Sequence, residues 1–414
     1  MPENQISELS GKTILIISGG IEAVDAVKRA KELGHTVVVS DRDPHAPGFA
    51  LADSCLIADV YGATETAAAA ERYHRKIRKI DGVICVAADA PITAATVAQR
   101  LRLPGLPIHV AELACDKLAM KKCFVSAGVA VPWFAEVRTP QELQRVAIER
   151  GRDLVIKPAD SRGSRGVQRV AQVEDLTAAF LLARSHSPTE RVIVEQYLSG
   201  PQVSTESVVM GGRCFTPGFS DRNYEYLERY APFFIENGGD LPSHLPEGVQ
   251  AKVRDLVARA ASAMGITDGT VKGDIVVHDG EPYVIELAAR LSGGFFCTRE
   301  IPLNTGVDFI GAAIKIALGE TVDEADLAPK HFVPVVQRYA FPAPGTVVSI
   351  SGAEEASRIP GITDVIVTAR EGDIIPPAGD KRPSGAMVLA SGANREAALT
   401  AANDALALIR IETA

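Results

Sequence analysis

The chain has 414 residues, 46% hydrophobic and 23% charged, which is ordinary for a soluble globular protein of roughly two to four domains. A net charge of −9 without a basic tract argues against nucleic acid as the principal partner. The polar N-terminus and the lack of an apolar run of about 18 residues predict no secretory segment and no membrane partner. Six cysteines without C-x-x-C spacing predict a reducing, cytoplasmic location.

The first part of the chain, residues 13–110, alternates short apolar runs with helical patterns, as βαβ units on a parallel sheet do. KTILIIS, HTVVVSD and GVICVAA are predicted strands, and EAVDAVKRAKEL and the segment around 63–80 are predicted helices. The glycine turn at Ser18–Gly20, followed by Asp41 on the second strand, also permits a dinucleotide site with Asp41 on a ribose hydroxyl. Because G-x-G-x-x-G is absent, a degenerate turn or a substrate contact is the favoured alternative.

Two composition changes suggest boundaries further along. The proline-rich segment 101–110 precedes a predicted helix at 115–127, and an acidic segment near 319–329 precedes a β-rich tail. The tail has the strand patterns FVPVVQRYAF, TDVIVTA and GAMVLAS, then a helical pattern from Asn394 to Ile409. The aromatic segment 217–247 is broken by proline and glycine, which predicts a long functional loop.

Two lysines and a glycine-rich loop stand in the middle of the chain. Lys117 starts a predicted helix, and Lys157 lies at the carboxyl end of the predicted strand DLVIKP. Open α/β sheets bind ligands at the carboxyl ends of their strands. Glycines in the following loop let backbone N–H groups approach phosphate oxygens closely. The candidate phosphate-contacting residues of this loop are Ser161, Gly163, Ser164 and Gly166. A solvated lysine or a plain surface turn explains each feature taken alone.

An Asp-Gly turn between two apolar runs predicts a β-hairpin within residues 269–294. Each run carries one acid, Asp274 and Glu286. A two-residue loop at Asp279-Gly280 would place the acids on opposite faces, whereas a three-residue loop with the glycine at a positive-φ bulge position would place them together. We expect the second arrangement, with Mg²⁺ between the carboxylates and phosphate beside it; a surface hairpin with solvated acids is the alternative.

The order of these elements resembles the ATP-grasp superfamily. The family pattern runs lysine, lysine with a flexible glycine loop, an E-x-x-L hinge, two acidic metal ligands and an arginine. In this chain the pattern consists of Lys117, Lys157 with SRGSRG, Glu195-Gln196-Tyr197-Leu198, Asp274, Glu286 and Arg290. The resemblance covers nearly the whole chain and is nearest to L-amino-acid ligases and other carboxylate–amine ligases.

The resemblance implies an α/β protein of three domains, in which the ATP-grasp domain is an α+β clamp. The expected domains are an N-terminal Rossmann-like parallel α/β domain at 1–112, an ATP-grasp domain at 113–325, and a small β-rich α+β domain at 326–414. The two lobes of the ATP-grasp domain are expected at about 113–195 and 196–325.

The resemblance also implies ATP and Mg²⁺ as cofactors. Lys117 and Lys157 would neutralise ATP phosphates under the glycine loop. The adenosine would be held by Glu195, Gln196, Tyr197, Leu198 and, at the ribose position, Gln202.

The metal end of the implied site contains Asp274 and Glu286 as Mg²⁺ ligands and Arg290 beside the transferring phosphoryl group. Lys272 is a further catalytic candidate that would meet an acyl-phosphate or an anionic substrate, with a structural salt bridge as its alternative. Ala288 stands where the family carries an asparagine ligand, so one or two Mg²⁺ ions are compatible with the sequence.

The implied reaction joins a small carboxylate, such as an amino acid, to an amine through an acyl-phosphate, with release of ADP and phosphate. The candidate substrate residues are Arg222, Tyr224, Arg229, Tyr230, Ser292, Gly293 and Gly294. A homodimer is compatible with the resemblance. The alternatives are a purine-biosynthesis enzyme that activates formate or bicarbonate, a nicotinamide-dependent oxidoreductase, and a non-catalytic nucleotide-binding protein.

Overall fold

The computed structural model describes residues 11–376 and 385–414. The polar N-terminal segment 1–10, on which the expectation of no secretory segment rests, lies outside the described residues, as does 377–384. Within the described ranges, no helix combines the length and the apolar character that a membrane crossing requires.

A four-stranded parallel sheet begins the fold, with strand order β3-β2-β1-β4. Strand β1 is buried along its whole length and apolar after Thr13, as is typical of a parallel sheet covered on both faces. The elements are β1 (Thr13–Ile17), α1 (Val24–Glu32), β2 (Thr36–Asp41), β3 (Ser54–Ile57), α2 (Ala63–Lys76), β4 (Gly82–Cys85), α3 (Pro91–Leu101) and α4 (Ile108–Cys115). The predicted βαβ alternation is confirmed.

The glycine turn after β1 does not support the dinucleotide interpretation. The Asp41 carboxylate accepts a hydrogen bond from the backbone N–H of Gly19 at 2.8 Å. A second bond, from the backbone N–H of Asp43 at 3.0 Å, occupies its other oxygen. Asp41 therefore fixes the turn between β1 and α1, a structural role that explains its position without a ribose.

A second, antiparallel sheet has the order β5-β8-β6-β7 and forms a small lobe with three helices. Its apolar cluster packs the sheet against α6 and α7. The elements are α5 (Lys117–Ser126), β5 (Phe134–Val137), α6 (Pro140–Arg150), β6 (Leu154–Pro158), β7 (Gln168–Arg169), α7 (Leu176–Ser185) and β8 (Val192–Gln196).

The remaining strands of the middle of the chain are β9 (Gln202–Met210), β10 (Arg213–Arg222), β11 (Gly239–Leu241), β12 (Gly269–His278) and β13 (Glu281–Ala288). They are accompanied by the helices α8 (Glu247–Ala263), α9 (Ile301–Thr305) and α10 (Phe309–Ala317). The predicted loop at 217–247 is thus partly strand, because β10 and β11 pair with each other inside it.

The tail contains β14 (Val335–Ala340), β15 (Gly345–Ser351), α11 (Ala353–Ser357), β16 (Ile362–Val367), β17 (Ile374–Ile375), β18 (Ala386–Ser391), α12 (Arg395–Leu408) and β19 (Arg410–Thr413). Its β-rich character and final helix confirm the sequence prediction. Strands β14, β18 and β16 extend the middle strands into one eight-stranded sheet of order β13-β12-β9-β10-β11-β14-β18-β16. This sheet runs across the position 325/326 at which the sequence predicted a domain boundary.

Candidate active site

The hairpin of β12 and β13 closes with a two-residue loop. His278 pairs with Glu281, and the two residues between them, Asp279 and Gly280, have φ values of 51° and 78°. Positive φ at both central positions is typical of a type I′ turn, which suits the Asp-Gly sequence. The predicted three-residue loop with a glycine bulge is therefore wrong.

The two acids nevertheless share one face, because the strand ladder is interrupted beside them. Ile275 pairs with Val284, whereas the preceding residue Asp274 pairs with Glu286, so Ile285 is an extra residue in β13. Such a β-bulge shifts the alternation of side chains by one position. The predicted meeting of Asp274 and Glu286 thus comes from the bulge at Ile285 and not from the turn.

Asp274 is surrounded by cations. Its Oδ1 atom lies 2.6 Å from an Arg222 guanidinium nitrogen, contacts the Lys272 ammonium, and accepts a bond from the Ser204 hydroxyl at 3.3 Å. Burial alone would raise the pKa of Asp274, but the charges of Arg222 and Lys272 outweigh burial and hold that pKa well below its ordinary value. Asp274 is therefore an ionised carboxylate at neutral pH. Lys272 forms a structural salt bridge with Asp274, which is the alternative to a catalytic role.

Glu286 faces Lys117, whose Nζ atom lies 3.4 Å from its carboxylate. Lys117 is placed by the start of α5, where the Asp116 side chain caps the helix with two bonds of 3.0 Å to backbone N–H groups. The Lys117 ammonium also donates to the carbonyl of Ser161 at 2.5 Å and so ties the glycine loop to the acids. Burial opposes ionisation of Glu286, but nearby cations, Lys117 first among them, keep its pKa below the ordinary value.

Lys157 belongs to a buried ion cluster with Glu195 and Lys121. The Glu195 carboxylate lies 2.7 Å from Nζ of Lys157 and 3.2 Å from Nζ of Lys121. Desolvation is the main cause that lowers the pKa of Lys121 to about 8, and the neighbouring Lys157 charge adds to it while Glu195 opposes it. The side chain of Glu195, which the family resemblance assigned to adenine, is thus engaged in fixing Lys157. Lys121 was missed because a lysine in the helical pattern CDKLAMKK looks solvent-exposed.

Arg290 is held by an acid of the N-terminal sheet. Its Nε atom donates to Asp89 Oδ1 at 2.6 Å, and Asp89 follows β4 at the carboxyl end of that parallel strand. The pKa of Arg290 is raised because the Asp89 charge and hydrogen bond outweigh burial. Sequence reasoning missed Asp89, although its place after a predicted strand was a usable signal.

A second buried acid, Glu206 on β9, lies behind the same arginine. Its Oε1 atom accepts the backbone N–H of Ser292 at 3.2 Å. Burial raises the pKa of Glu206 to about 7, against the opposing effects of Ser292 and Arg290. The polar run STES inside an otherwise apolar strand was the only sign of this residue in the sequence.

The glycine loop after β6 is a series of turns with positive φ at Gly163, Ser164 and Gly166. A side chain at Gly163 would meet no atom within 4 Å, whereas one at Gly166 would lie 3.2 Å from the Ala183 Cα atom. Gly163 is therefore open to a ligand, and Gly166 is needed for close packing on α7. Gly166 lines neither of the cavities that the loop borders.

Two adjoining cavities meet at the paired acids. The smaller, of about 120 Å³, lies between the small lobe and the large sheet and is lined by Lys157 and the hinge 195–198. The larger, of about 360 Å³, extends toward Arg290 and the tail. Their common wall contains Lys117, Ser161, Arg162, Gly163, Ser164, Arg222, Asp274 and Glu286. A molecule in one cavity can thus contact a molecule in the other at this wall.

The smaller cavity brings together ten of the eleven predicted nucleotide residues. They are Lys117, Lys157, Ser161, Gly163, Ser164, Glu195, Gln196, Tyr197, Leu198 and Gln202. Tyr224, predicted to contact substrate, lines this same cavity.

The predicted substrate residues are divided by the structure. Arg222 and the segment 292–294 line the larger cavity, but Arg229 and Tyr230 line neither cavity. Tyr230 is buried and packs edge-on against Phe341 of the tail, and the Arg229 guanidinium lies over the Tyr230 ring. These two side chains connect the loop to the tail.

Two of the three backbone donors predicted in the segment 292–294 are engaged by carboxylates. The N–H of Ser292 donates to Glu206, and the N–H of Gly294 donates to Oε2 of Glu22 at 2.6 Å. Burial raises the pKa of Glu22, although its bonds to Gly294 and Phe295 oppose the shift. These N–H groups fix the cavity floor against the N-terminal sheet and are not free donors for a substrate.

The donor set suits Mg²⁺ carried by a nucleotide. No group of three or more His, Cys, Asp or Glu side chains that could hold a metal occurs within residues 11–376 and 385–414. Two adjacent carboxylates, Asp274 and Glu286, are enough for Mg²⁺, which takes its other ligands from phosphates and water. Ala288 lies directly across from Lys272 in the ladder, so an ammonium faces the position of the missing asparagine.

Three family models match successive parts of the chain. The ATP-grasp N-terminal domain matches residues 27–105, the ATP-grasp domain matches 114–294, and the L-amino acid ligase C-terminal domain 2 matches 338–414.

The protein y4rH of Sinorhizobium fredii, described as uncharacterized, is 28% identical over 392 residues, which are 92% of this chain and 79% of that protein. A D-alanine–D-alanine ligase of Desulforudis audaxviator is 30% identical over 44% of this chain and 60% of its own length. The solved L-amino acid ligase of Bacillus licheniformis has the same fold, with a TM-score of 0.83 at 22% identity over 98% of this chain and 99% of that chain. The chain therefore belongs to the ATP-grasp superfamily of carboxylate–amine ligases and has a C-terminal domain of the L-amino acid ligase type.

Proposed function

We propose that the protein forms an amide bond between a small carboxylate, such as an amino acid, and an amine, at the expense of ATP. In the first step a carboxylate oxygen attacks the γ-phosphorus of ATP, and ADP leaves as an acyl-phosphate forms. In the second step the amine nitrogen attacks the acyl carbon, phosphate leaves, and the amine loses a proton.

The observation that carries this proposal is the common wall of the two cavities. A nucleotide in the smaller cavity has its phosphates at Lys117, Lys157 and the 161–166 loop, where the charges of the two lysines oppose phosphate repulsion. A carboxylate in the larger cavity meets the same wall from the side of Arg290. Both reacting groups are therefore held at Asp274 and Glu286.

Asp274 and Glu286 are the residues that would hold Mg²⁺, which when bound neutralises charge on the phosphates of the nucleotide. Arg290 orients the carboxylate and stabilises charge on the transferring phosphoryl group, while Asp89 fixes the guanidinium in place. We propose a single Mg²⁺ ion, since Ala288 offers no ligand and the Lys272 ammonium lies across from it. The glycine loop excludes water from the acyl-phosphate.

An amino acid is the favoured substrate because the C-terminal family model, residues 338–414, is that of L-amino acid ligases. Tyr339 of this range and Gln337, the residue just before the range, line the larger cavity, so the start of the C-terminal domain borders the substrate. The purine-biosynthesis alternative predicts ADP release with glycinamide ribonucleotide or aminoimidazole ribonucleotide and none with amino acids.

The test is ADP and phosphate release from ATP-Mg with pairs of amino acids, compared with the two ribonucleotides. Turnover with an amino-acid pair, and its loss in Glu286→Gln with unchanged folding by circular dichroism, would support the proposal. Glu149→Gln, an exposed carboxylate on α6, is the matched control and is expected to keep full activity. Nucleotide binding without ADP release from any pair would favour the non-catalytic alternative, and unchanged turnover in Glu286→Gln would contradict the metal site.

The setting of the enzyme completes the proposal. All six cysteines lie within the described residues and are free thiols, which supports a reducing cytoplasm. We also propose a homodimer, which sedimentation velocity of the purified protein would test.

A further inference from the structure

The larger cavity contains a buried acid that the proposed reaction does not use. Glu300 ends a π-helical turn, Phe296–Glu300, and only 3% of its surface is exposed. The turn follows Phe295, a non-glycine residue with φ of 61°. π-Helical turns and residues with positive φ recur at functional sites, where the surrounding structure compensates for their strain.

Glu300 differs from the other acids of this cavity in its lack of a partner. Asp89 is paired with Arg290, Glu286 with Lys117, and both Asp274 and Glu236 with Arg222. The Glu300 carboxylate makes no ion pair or hydrogen bond with any described residue.

The charges that face Glu300 are mostly negative. Glu236 and Asp240 face it, and within the described ranges Arg338 is the cation whose field opposes them. Arg338 is itself paired with Asp240 at 2.7 Å. Burial and the two acids together raise the pKa of Glu300 well above its ordinary value, and the pKa of the neighbouring Tyr339 phenol is raised as well.

A buried carboxylate without a partner costs free energy, and a cation that enters the cavity removes this cost by pairing with it. The other acids of the cavity already have partners, because Asp160 accepts hydrogen bonds from Ser187 and Thr189 and the rest are in ion pairs. A ligand therefore gains most by placing a positive charge at Glu300. Because the same cavity reaches Arg290, the ligand that supplies the charge also carries the reacting group there.

We infer that Glu300 is a specificity-determining residue that binds a positively charged nitrogen of the substrate in the larger cavity. This inference rests on the proposed function. The charged nitrogen is either the α-ammonium group of an amino acid or the basic group of its side chain.

The experiment compares wild type with Glu300→Gln, which keeps the shape and removes the charge. The substrates are L-lysine, L-norleucine, which lacks the side-chain charge, and 6-aminohexanoate, which lacks the α-ammonium group. Loss of a hydrogen-bonded charge pair is expected to lower kcat/KM by about ten-fold or more for the substrates that carry the recognised nitrogen. Selective loss with L-lysine and 6-aminohexanoate assigns the side-chain cation, and selective loss with L-lysine and L-norleucine assigns the α-ammonium.

A binding measurement separates this inference from the proposed function. Titration calorimetry of L-lysine, which carries both nitrogens, into protein with ADP-Mg, in two buffers of different ionisation enthalpy, is expected to show proton release in wild type and none in Glu300→Gln. This readout needs no turnover, so it holds even if no amino-acid pair releases ADP.

Two further variants keep the test decisive. Glu300→Asp, which retains a charge, is expected to recover part of the selectivity, and Glu149→Gln is expected to behave as wild type. Equal losses for all three substrates, or unchanged selectivity and proton release in Glu300→Gln, would overturn the inference.

Discussion

Asp274 and Glu286 are direct cross-strand partners because Ile285 is an additional residue between the regular part of the ladder and the second acid. Two carboxylates in this position repel each other, and the structure offsets the repulsion with three cations. Arg222 and Lys272 contact Asp274, and Lys117 contacts Glu286. Mg²⁺ must therefore compete with, or displace, side-chain cations that the chain itself provides.

Lys272→Met distinguishes the two roles considered for this residue. If Lys272 serves as a salt-bridge partner, its removal lowers the half-saturating free Mg²⁺ by about five-fold, since a contact worth about 1 kcal/mol no longer competes at Asp274. The measurement is ADP release against free Mg²⁺ at saturating ATP. Lys272→Arg, which keeps the charge, is the control and should resemble wild type. A fall in kcat with an unchanged Mg²⁺ requirement would instead make Lys272 a catalytic residue.

The metal end of the site shows what the sequence can and cannot predict. Asp274, Glu286 and Arg290 were found because an Asp-Gly turn and acid spacing are local features. The bulge at Ile285 was not predicted, since nothing in the residues of the hairpin marks it: β12 pairs with β9 in regular register, and the extra residue lies in β13. The sequence thus predicted that Asp274 and Glu286 meet, but attributed their meeting to the wrong loop.

Long-range partners explain the remaining differences. Asp89 lies 201 positions from Arg290, and Glu22 lies 272 positions from Gly294, so no spacing rule connects them. Arg229 and Tyr230 looked like binding residues because aromatic and basic side chains in a loop often are. Their packing on Phe341 depends on where the tail returns, which periodicity does not reveal.

Lys121→Met should change how stability depends on pH. The ordinary pKa of lysine is 10.5 and burial lowers that of Lys121 to about 8, so the unfolded chain binds more protons than the folded protein between these values. The contribution of Lys121 to the free energy of unfolding therefore increases between about pH 8 and pH 10.5. The increase is on the order of 2 kcal/mol.

Urea unfolding of wild type and Lys121→Met at intervals from pH 7 to 10.5 tests this. Wild type should gain stability relative to the variant as the pH rises. Lys122→Met, at the adjacent exposed position, is the matched control and should follow wild type. A constant difference between wild type and Lys121→Met across this range would mean that Lys121 titrates normally.

Glu206→Gln should also change how stability depends on pH, but here the wild type loses stability as the pH rises. Burial raises the pKa of Glu206 from 4.5 to about 7, so the folded protein binds the extra proton in this interval. The stability from this group is complete below about pH 4.5 and is lost as the pH rises through 7. The variant, which cannot ionise, should lose less stability than wild type between pH 5 and 7.5 when thermal unfolding is followed. Parallel curves for the two proteins would contradict the shift.

Tyr61→Ala should weaken the binding of ATP although Tyr61 lies in the N-terminal part of the fold. The Arg162 guanidinium of the glycine loop stacks over the Tyr61 ring at 4.2 Å from its centre, and Tyr61 is half exposed. An exposed cation–π contact contributes about 0.5–1 kcal/mol, which here favours the loop position next to Lys117. Loss of the ring should therefore raise the KM for ATP by about two- to five-fold, while kcat with saturating ATP changes little. Tyr61→Phe keeps the ring and should match wild type. In an Arg162→Met background, Tyr61→Ala should have no further effect, because the stacking partner is already absent. Additive effects in the double variant would show that the two side chains act separately and that the stacking does not hold the loop.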